Sequence, residues 1–198
     1  MVATDLCRCN SGQMGSTRDK LEKALAEQTL VRIERSLEFA DREDGIVVAI
    51  GSRWLLLHRV VDGGHPDGYL AMRVKDVRAI RKDRSFARKV ARALPSWPPV
   101  APSHVLLDST GELLSSVGEH HRLFGIEKQH ERRAMWIGQL EGLDLKKAWL
   151  HELDTRAKWR KKPVGYKLGA ITSVMFGDRY LASLALAAGE PRIAETVA

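Results

Sequence analysis

The chain has 198 residues, and its 32 Lys and Arg outnumber its 25 Asp and Glu to give a net charge of +7. A hydrophobic share of 44% with a charged share of 29% is ordinary globular composition and excludes a wholly disordered chain, a collagen and a coiled coil. No uncharged apolar run approaches the ~20 residues of a membrane helix, and the N-terminal MVATDLCRCN lacks the apolar run of a secretory signal. Cys7 and Cys9, the two cysteines, cannot build a disulfide framework. The expectation is a cytoplasmic protein with no membrane partner.

In chain order, residues 1–15 are polar, contain glycine and show no periodicity, which predicts a flexible tail. Ser16 or Thr17 can cap a helix that carries Leu21 and Leu25 on one face. VRIERSLEF (31–39) alternates as a strand does. GIVVAIG (45–51) and WLLLHRVV (54–61) are apolar runs across a short polar break, a hairpin signal. His65-Pro66-Asp67-Gly68 predicts a turn. GYLAMRV and VRAIR predict two more short strands with a tight break at Lys75-Asp76. A basic amphipathic helix over 85–94 follows, with Phe86, Val90 and Leu94 as its apolar stripe.

Four of the seven prolines fall within PSWPPVAP, residues 95–102. Each ring fixes φ and removes a donor, so neither a helix nor a central strand runs through this segment. A stiff linker over 95–104 is predicted between a unit at 16–94 and a second unit at 105–188, with a short tail at 189–198. In the second unit Asp108 or Ser109 starts a helix with Leu113, Leu114 and Val117. LFGIEKQ, MWIGQLEGL, KAWLHEL, GYKLG and ITSVMF follow as strands, and a helix over 179–188 closes it.

The two halves repeat one another. At an offset of 93, Gly45 meets Gly138, Val47 meets Leu140, Ile50 meets Leu143, Leu57-His58 meets Leu150-His151 and Val60 meets Leu153. One inserted residue changes the offset to 94, and Val74 meets Leu168, Val77 meets Ile171, Ile80 meets Val174, Phe86 meets Tyr180 and Val90 meets Leu184. The apolar pattern thus predicts Ile50, Leu57, Val77 and Ile80 in one core and Leu143, Leu150, Ile171 and Val174 in the other.

Five short antiparallel strands without a long connection can curl into a small barrel, which removes exposed edges. The expected fold class is mainly β with short α-helices (α+β), arranged as two tandem five-stranded Sm-like or SH3-like small barrels with flanking helices. The order helix then five strands, with tight breaks in VKDV and LGAI, resembles the Sm-like fold. WIGQLEGLDLKKAWLHEL followed by GYKLGAITSVMFGDRYLASLAL also resembles an uncharacterised bacterial family with this strand pattern, over residues from about 30 to 188. The resemblance rests on hydrophobic pattern and carries no catalytic signature. The short motif before the last strand of true Sm proteins has no match.

Basic clustering is the strongest chemical feature. Residues 73–92 hold nine cations (Arg73, Lys75, Arg78, Arg81, Lys82, Arg84, Arg88, Lys89, Arg92) against Asp76 and Asp83. Residues 156–167 hold six (Arg156, Lys158, Arg160, Lys161, Lys162, Lys167) and no acid, interleaved with Trp159 and Tyr166. Phosphate backbones attract cations with little regard to spacing, and an exposed aromatic can stack on an unpaired base. These cations with Trp159 are the candidate nucleic-acid-binding residues; solvated basic faces are the plainer reading of the same runs.

His58 and His151 hold equivalent positions and read as structural or as a pair of site residues. His120, His121 and His130 match no metal-ligand spacing, and Cys7 and Cys9 lie in the tail. No phosphate loop, dinucleotide fingerprint, metalloprotease helix or nucleophile elbow is present. His151-Glu152 lacks a second His four residues on, and Glu43-Asp44 reads as solvated charge. The expected function is non-catalytic binding of nucleic acid, RNA before DNA, without a cofactor or a metal. The alternative is a protein-interaction or scaffold module.

Overall fold

The computed structural model describes residues 11–38, 40–129 and 134–190, and of 11–16 the backbone alone. Cys7, Cys9, Phe39, His130 and residues 191–198 lie outside the described residues. The first helix, α1 (Ser11–Ala26), starts before the expected cap, so residues 11–15 are helical rather than tail. It buries Leu21 and Ala24, and Arg18–Glu22 and Lys23–Glu27 pair along its outer side.

The strands β1 (Leu30–Arg35), β2 (Glu43–Ile50), β3 (Trp54–Val61) and β4 (His65–Arg73) follow. A single 3₁₀ turn, Val74–Asp76, leads into β5 (Val77–Lys82), and α2 (Ala87–Ala93) ends the first half. The turn expected at 65–68 lies earlier, where Asp62, Gly63 and Gly64 take positive φ values of 45°, 77° and 129°. Positive φ suits Gly there, and it leaves Pro66 and Gly68 inside β4.

The second half runs α3 (Thr110–His120), β6 (Phe124–Lys128), β7 (Trp136–Leu143), β8 (Lys147–Glu152) and β9 (Val164–Lys167). A second 3₁₀ turn, Leu168–Ala170, precedes β10 (Ile171–Phe176) and α4 (Arg179–Ala188). Ser109 and Asp178 cap α3 and α4 by accepting from Glu112 N and Leu181 N.

All ten strands form one open antiparallel sheet in the order β5-β1-β2-β3-β4-β10-β6-β7-β8-β9. The chain is therefore mainly β with short helices, and the sheet does not break into two separately closed barrels. The last strand of the second half, β10, pairs on one side with β6 and on the other with β4 of the first half. Each half has the same internal order, fifth strand, first, second, third, fourth.

The repeat extends to irregularities. The β2–β3 register slips between Val47 and Ala49, and the β7–β8 register slips 93 residues later, between Leu140 and Gly142. A Cβ at Gly45 would sit 2.6 Å from His58 O, and one at Gly138 would sit 2.4 Å from His151 O. Both glycines are required by the same close strand approach.

One core contains Leu21, Val31, Ile33, Val47, Leu55, Leu57, Leu70, Met72, Val77 and Met175. The other combines Trp54, Leu56 and Ala71 of the first half with Val117, Phe124, Ile126, Leu150, Ile171, Val174 and Phe176 of the second. The outer face of the first half is thus a wall of the second core. Of the expected core positions, Leu57, Val77, Leu150, Ile171 and Val174 are buried, while Ile50 and Ile80 are half-buried. Leu143 is exposed: the bulge after Leu140 sets it opposite the buried Ala148, but it is the last residue of β7 and is followed by an exposed loop.

Candidate nucleic-acid interface

Helix α2 begins where Asp83 accepts from Ser85 N and Ser85 Oγ accepts from Ala87 N. It buries Ala91 and rests Ala87 on a small cluster of Leu30, Ile46 and Val60, beside Trp97 of the Pro-rich segment. Burial of these small residues leaves Phe86 outside, 68% exposed, with its ring against Gly63. This corrects the expected apolar stripe: Phe86 belongs to the surface, and Val90 and Leu94 are half-buried. Arg84, Arg88, Lys89 and Arg92 are exposed around it. Among the described residues none of the four is in an ion pair, and Arg92 lies 5.4 Å over the Trp97 ring.

The rest of the first basic stretch is differently committed. Arg73 is buried, paired with Asp76, and donates to Gly169 O across the β4–β10 junction at 3.2 Å. Arg78 and Arg81 share Glu34 at 3.0 and 3.2 Å, and Lys82 meets Glu27 at 2.6 Å. The hydrogen bond from Arg78 holds the Glu34 carboxyl below its ordinary pKa. Lys75 is exposed at the 3₁₀ turn.

In the second stretch, Asp154 organises the loop by accepting from the backbone of Arg156 and Lys158, at 2.8 and 3.0 Å. Arg156 also faces Asp154 at 3.6 Å, and Arg160 pairs with the buried Glu152 at 2.9 Å. Glu152 in turn accepts from the Tyr166 hydroxyl. Trp159 does not stand out as a stacking platform. It packs on Leu123, Leu153, Leu181 and Leu184 under α4, donates Nε1–H to Gly189 O and lies beneath Arg122. Lys158, Lys161, Lys162 and Lys167 are exposed and, among the described residues, in no ion pair.

The first stretch adjoins β5 and the second adjoins β9, the first and last strands of the sheet order.

The histidines have structural surroundings. His58 stacks on Tyr69, which stacks on Phe176, and burial lowers its pKa. His151 contacts Arg160 O through Nε2 at 2.6 Å and Glu141 through Nδ1 at 3.6 Å. His104 of the Pro-rich segment stacks on His120 at 3.8 Å and lies 5.7 Å from His121. Burial, then mutual repulsion, lowers the pKa of both His104 and His121. Sequence spacing did not connect His104 to the pair at 120–121. Among the described residues no group of three or more His, Cys, Asp or Glu is arranged to hold a metal, and no helix is long and apolar enough to cross a membrane.

Comparison of the chain with protein-family models, with curated proteins and with solved structures returns no match.

Proposed function

We propose that this is a non-catalytic nucleic-acid-binding protein that prefers RNA to DNA and uses α2 as its contact surface. The two halves are read as Sm-like units fused edge to edge. One observation carries the functional reading: an aromatic ring, Phe86, is 68% exposed amid four cations, Arg84, Arg88, Lys89 and Arg92, with no acid paired to them among the described residues. An exposed ring costs apolar hydration, and four unneutralised charges repel one another. A strand whose bases stack on the ring while its phosphates meet the cations relieves both. Binding of this kind is salt-sensitive and weakly sequence-specific.

The test is titration of a fluorescent single-stranded RNA across a range of salt. Replacing Arg84, Arg88, Lys89 and Arg92 by Ala removes up to four phosphate contacts. Each contributes roughly 0.7 to the log–log salt slope, so the slope flattens by up to about 3. Phe86→Ala weakens binding by about 1–3 kcal/mol without changing the slope. A folded parent protein that binds neither RNA nor DNA at low salt refutes the proposal.

A further inference from the structure

We propose that the outer edge of β9 is a docking site for an extended acidic peptide, which adds to the sheet as an eleventh strand. The internal repeat supplies the template. In the first half, β4 pairs with β3 through Met72–Leu55, Ala71–Leu56 and Leu70–Leu57. Its other edge takes β10, with Ser173, Val174 and Met175 opposite those residues. In the second half β9 is the counterpart of β4. It pairs with β8 through Tyr166–Ala148, Gly165–Trp149 and Val164–Leu150, the same register carried forward by the repeat. Beyond β9 there is no further strand among the described residues. The backbone donors and acceptors that β4 gives to β10 are therefore left on β9 for another chain.

The side chains at this edge select the occupant. Trp54, Leu56 and Ala71 form the face of the first half that the second half covers. Their counterparts are Lys147, Trp149 and Gly165, with the Trp149 indole lying beside Gly165. Lys147, Lys161, Lys162 and Lys167 are exposed around this strip and, among the described residues, in no ion pair. A strand laid there meets an aromatic floor and a lysine rim, so it is recognised by backbone hydrogen bonds and by alternate acidic side chains.

The counterpart of β10 in a second copy of the chain is β5. It puts Arg78, Arg81 and Lys82 where β10 has Thr172, Met175 and Phe176. Among the described residues those three cations share only Glu27 and Glu34. Like charges facing across a ladder are destabilising, and here Arg78, Arg81 and Lys82 of a second copy would approach Lys161, Lys162 and Lys167. The edge therefore disfavours self-pairing and favours an acidic strand.

The experiment is hydrogen exchange of the full chain with a synthetic peptide of about ten residues, alternating valine and glutamate, at up to about 1 mM, the weak end of specific affinity. Exchange at 164–167 slows by about tenfold or more. The pair Lys161→Glu and Lys162→Glu, both exposed and so tolerated by the fold, weakens the peptide by at least about tenfold. A peptide with proline in place of its valines keeps the charge but cannot form a ladder, and it gives no protection. Four results overturn the proposal: no protection at the highest concentration; equal protection by the proline peptide, which means charge alone; equal protection of 164–167 by single-stranded RNA, which makes the edge a polyanion site; or protection that grows with protein concentration alone, which makes the occupant a second copy.

Discussion

Replacing Glu127 with Gln tests how the two halves hold together. The Arg35 side chain on β1 is 0% exposed, and its Nη1 lies 2.8 Å from Glu127 Oε2 on β6. None of its three guanidinium nitrogens has a hydrogen-bond partner, so this attraction, with a lesser one from Glu43, compensates a fully buried cation. Glu127 is fixed by Ser173 Oγ, which donates to it at 2.6 Å. Removing one partner of a buried ion pair costs about 3–5 kcal/mol, because the other charge stays buried without compensation. Against a total stability of about 5–15 kcal/mol, that is a large share. At about 2–4 °C per kcal/mol for a chain of this size, the midpoint of thermal unfolding falls by about 6–20 °C. Urea denaturation followed by fluorescence gives the free energy directly. The double change Arg35→Met with Glu127→Leu removes the charge with its partner and recovers most of the loss. A single-variant loss under about 1 kcal/mol, or a double variant no more stable than the single one, refutes the reasoning.

Burial pushes the Glu43 carboxyl from its ordinary 4.5 to about 7, with Arg59 opposing. The folded state holds this proton more tightly than the unfolded one, so stability falls as pH rises from 4.5 to about 7 and the penalty is complete above that. Glu43→Gln therefore stabilises the fold by about 1–3 kcal/mol at pH 8 and leaves it unchanged near pH 4, as urea titrations at the two pH values will show. Trp159→Ala destabilises by about 2–3 kcal/mol, somewhat less than a fully buried aromatic, and any change in RNA affinity tracks unfolding rather than base stacking. Leu57→Ala and Leu150→Ala each cost about 2–5 kcal/mol. Because Trp54, Leu56 and Ala71 belong to the second core, calorimetry finds one cooperative transition in each variant rather than the separate melting of one half.

Local chemistry made much of the fold legible. β-Branched and leucine-rich runs marked all ten strands, eight of them to within two residues at each end, since a strand that buries a face must carry apolar side chains along it; β1 ends earlier and β4 begins earlier than the runs suggest. Ser109 and the Pro-rich segment marked boundaries because a cap and a fixed φ act within a few residues. The duplication was also legible, down to the paired glycines 45 and 138, because equivalent close approaches demand equivalent residues.

Tertiary contacts decided the rest. Which strand takes the free edge of β10 depends on two ladders far apart in sequence, and no local pattern distinguishes closure within a half from pairing with the other half. The bulges after Val47 and Leu140 decide which face Ile50 and Leu143 take, and a bulge is a property of two strands rather than one. The exposure of Phe86 and Trp159 departs from the expectation for the same reason. Periodicity put Phe86 inside and basic surroundings put Trp159 outside, but α2 sits on alanines that leave Phe86 uncovered, and α4 closes over Trp159. Charge was readable as a sum along the chain. Which cations stay unneutralised was not, because Glu27, Glu34 and Glu152 reach Lys82, Arg78 and Arg160 only after the strands have paired.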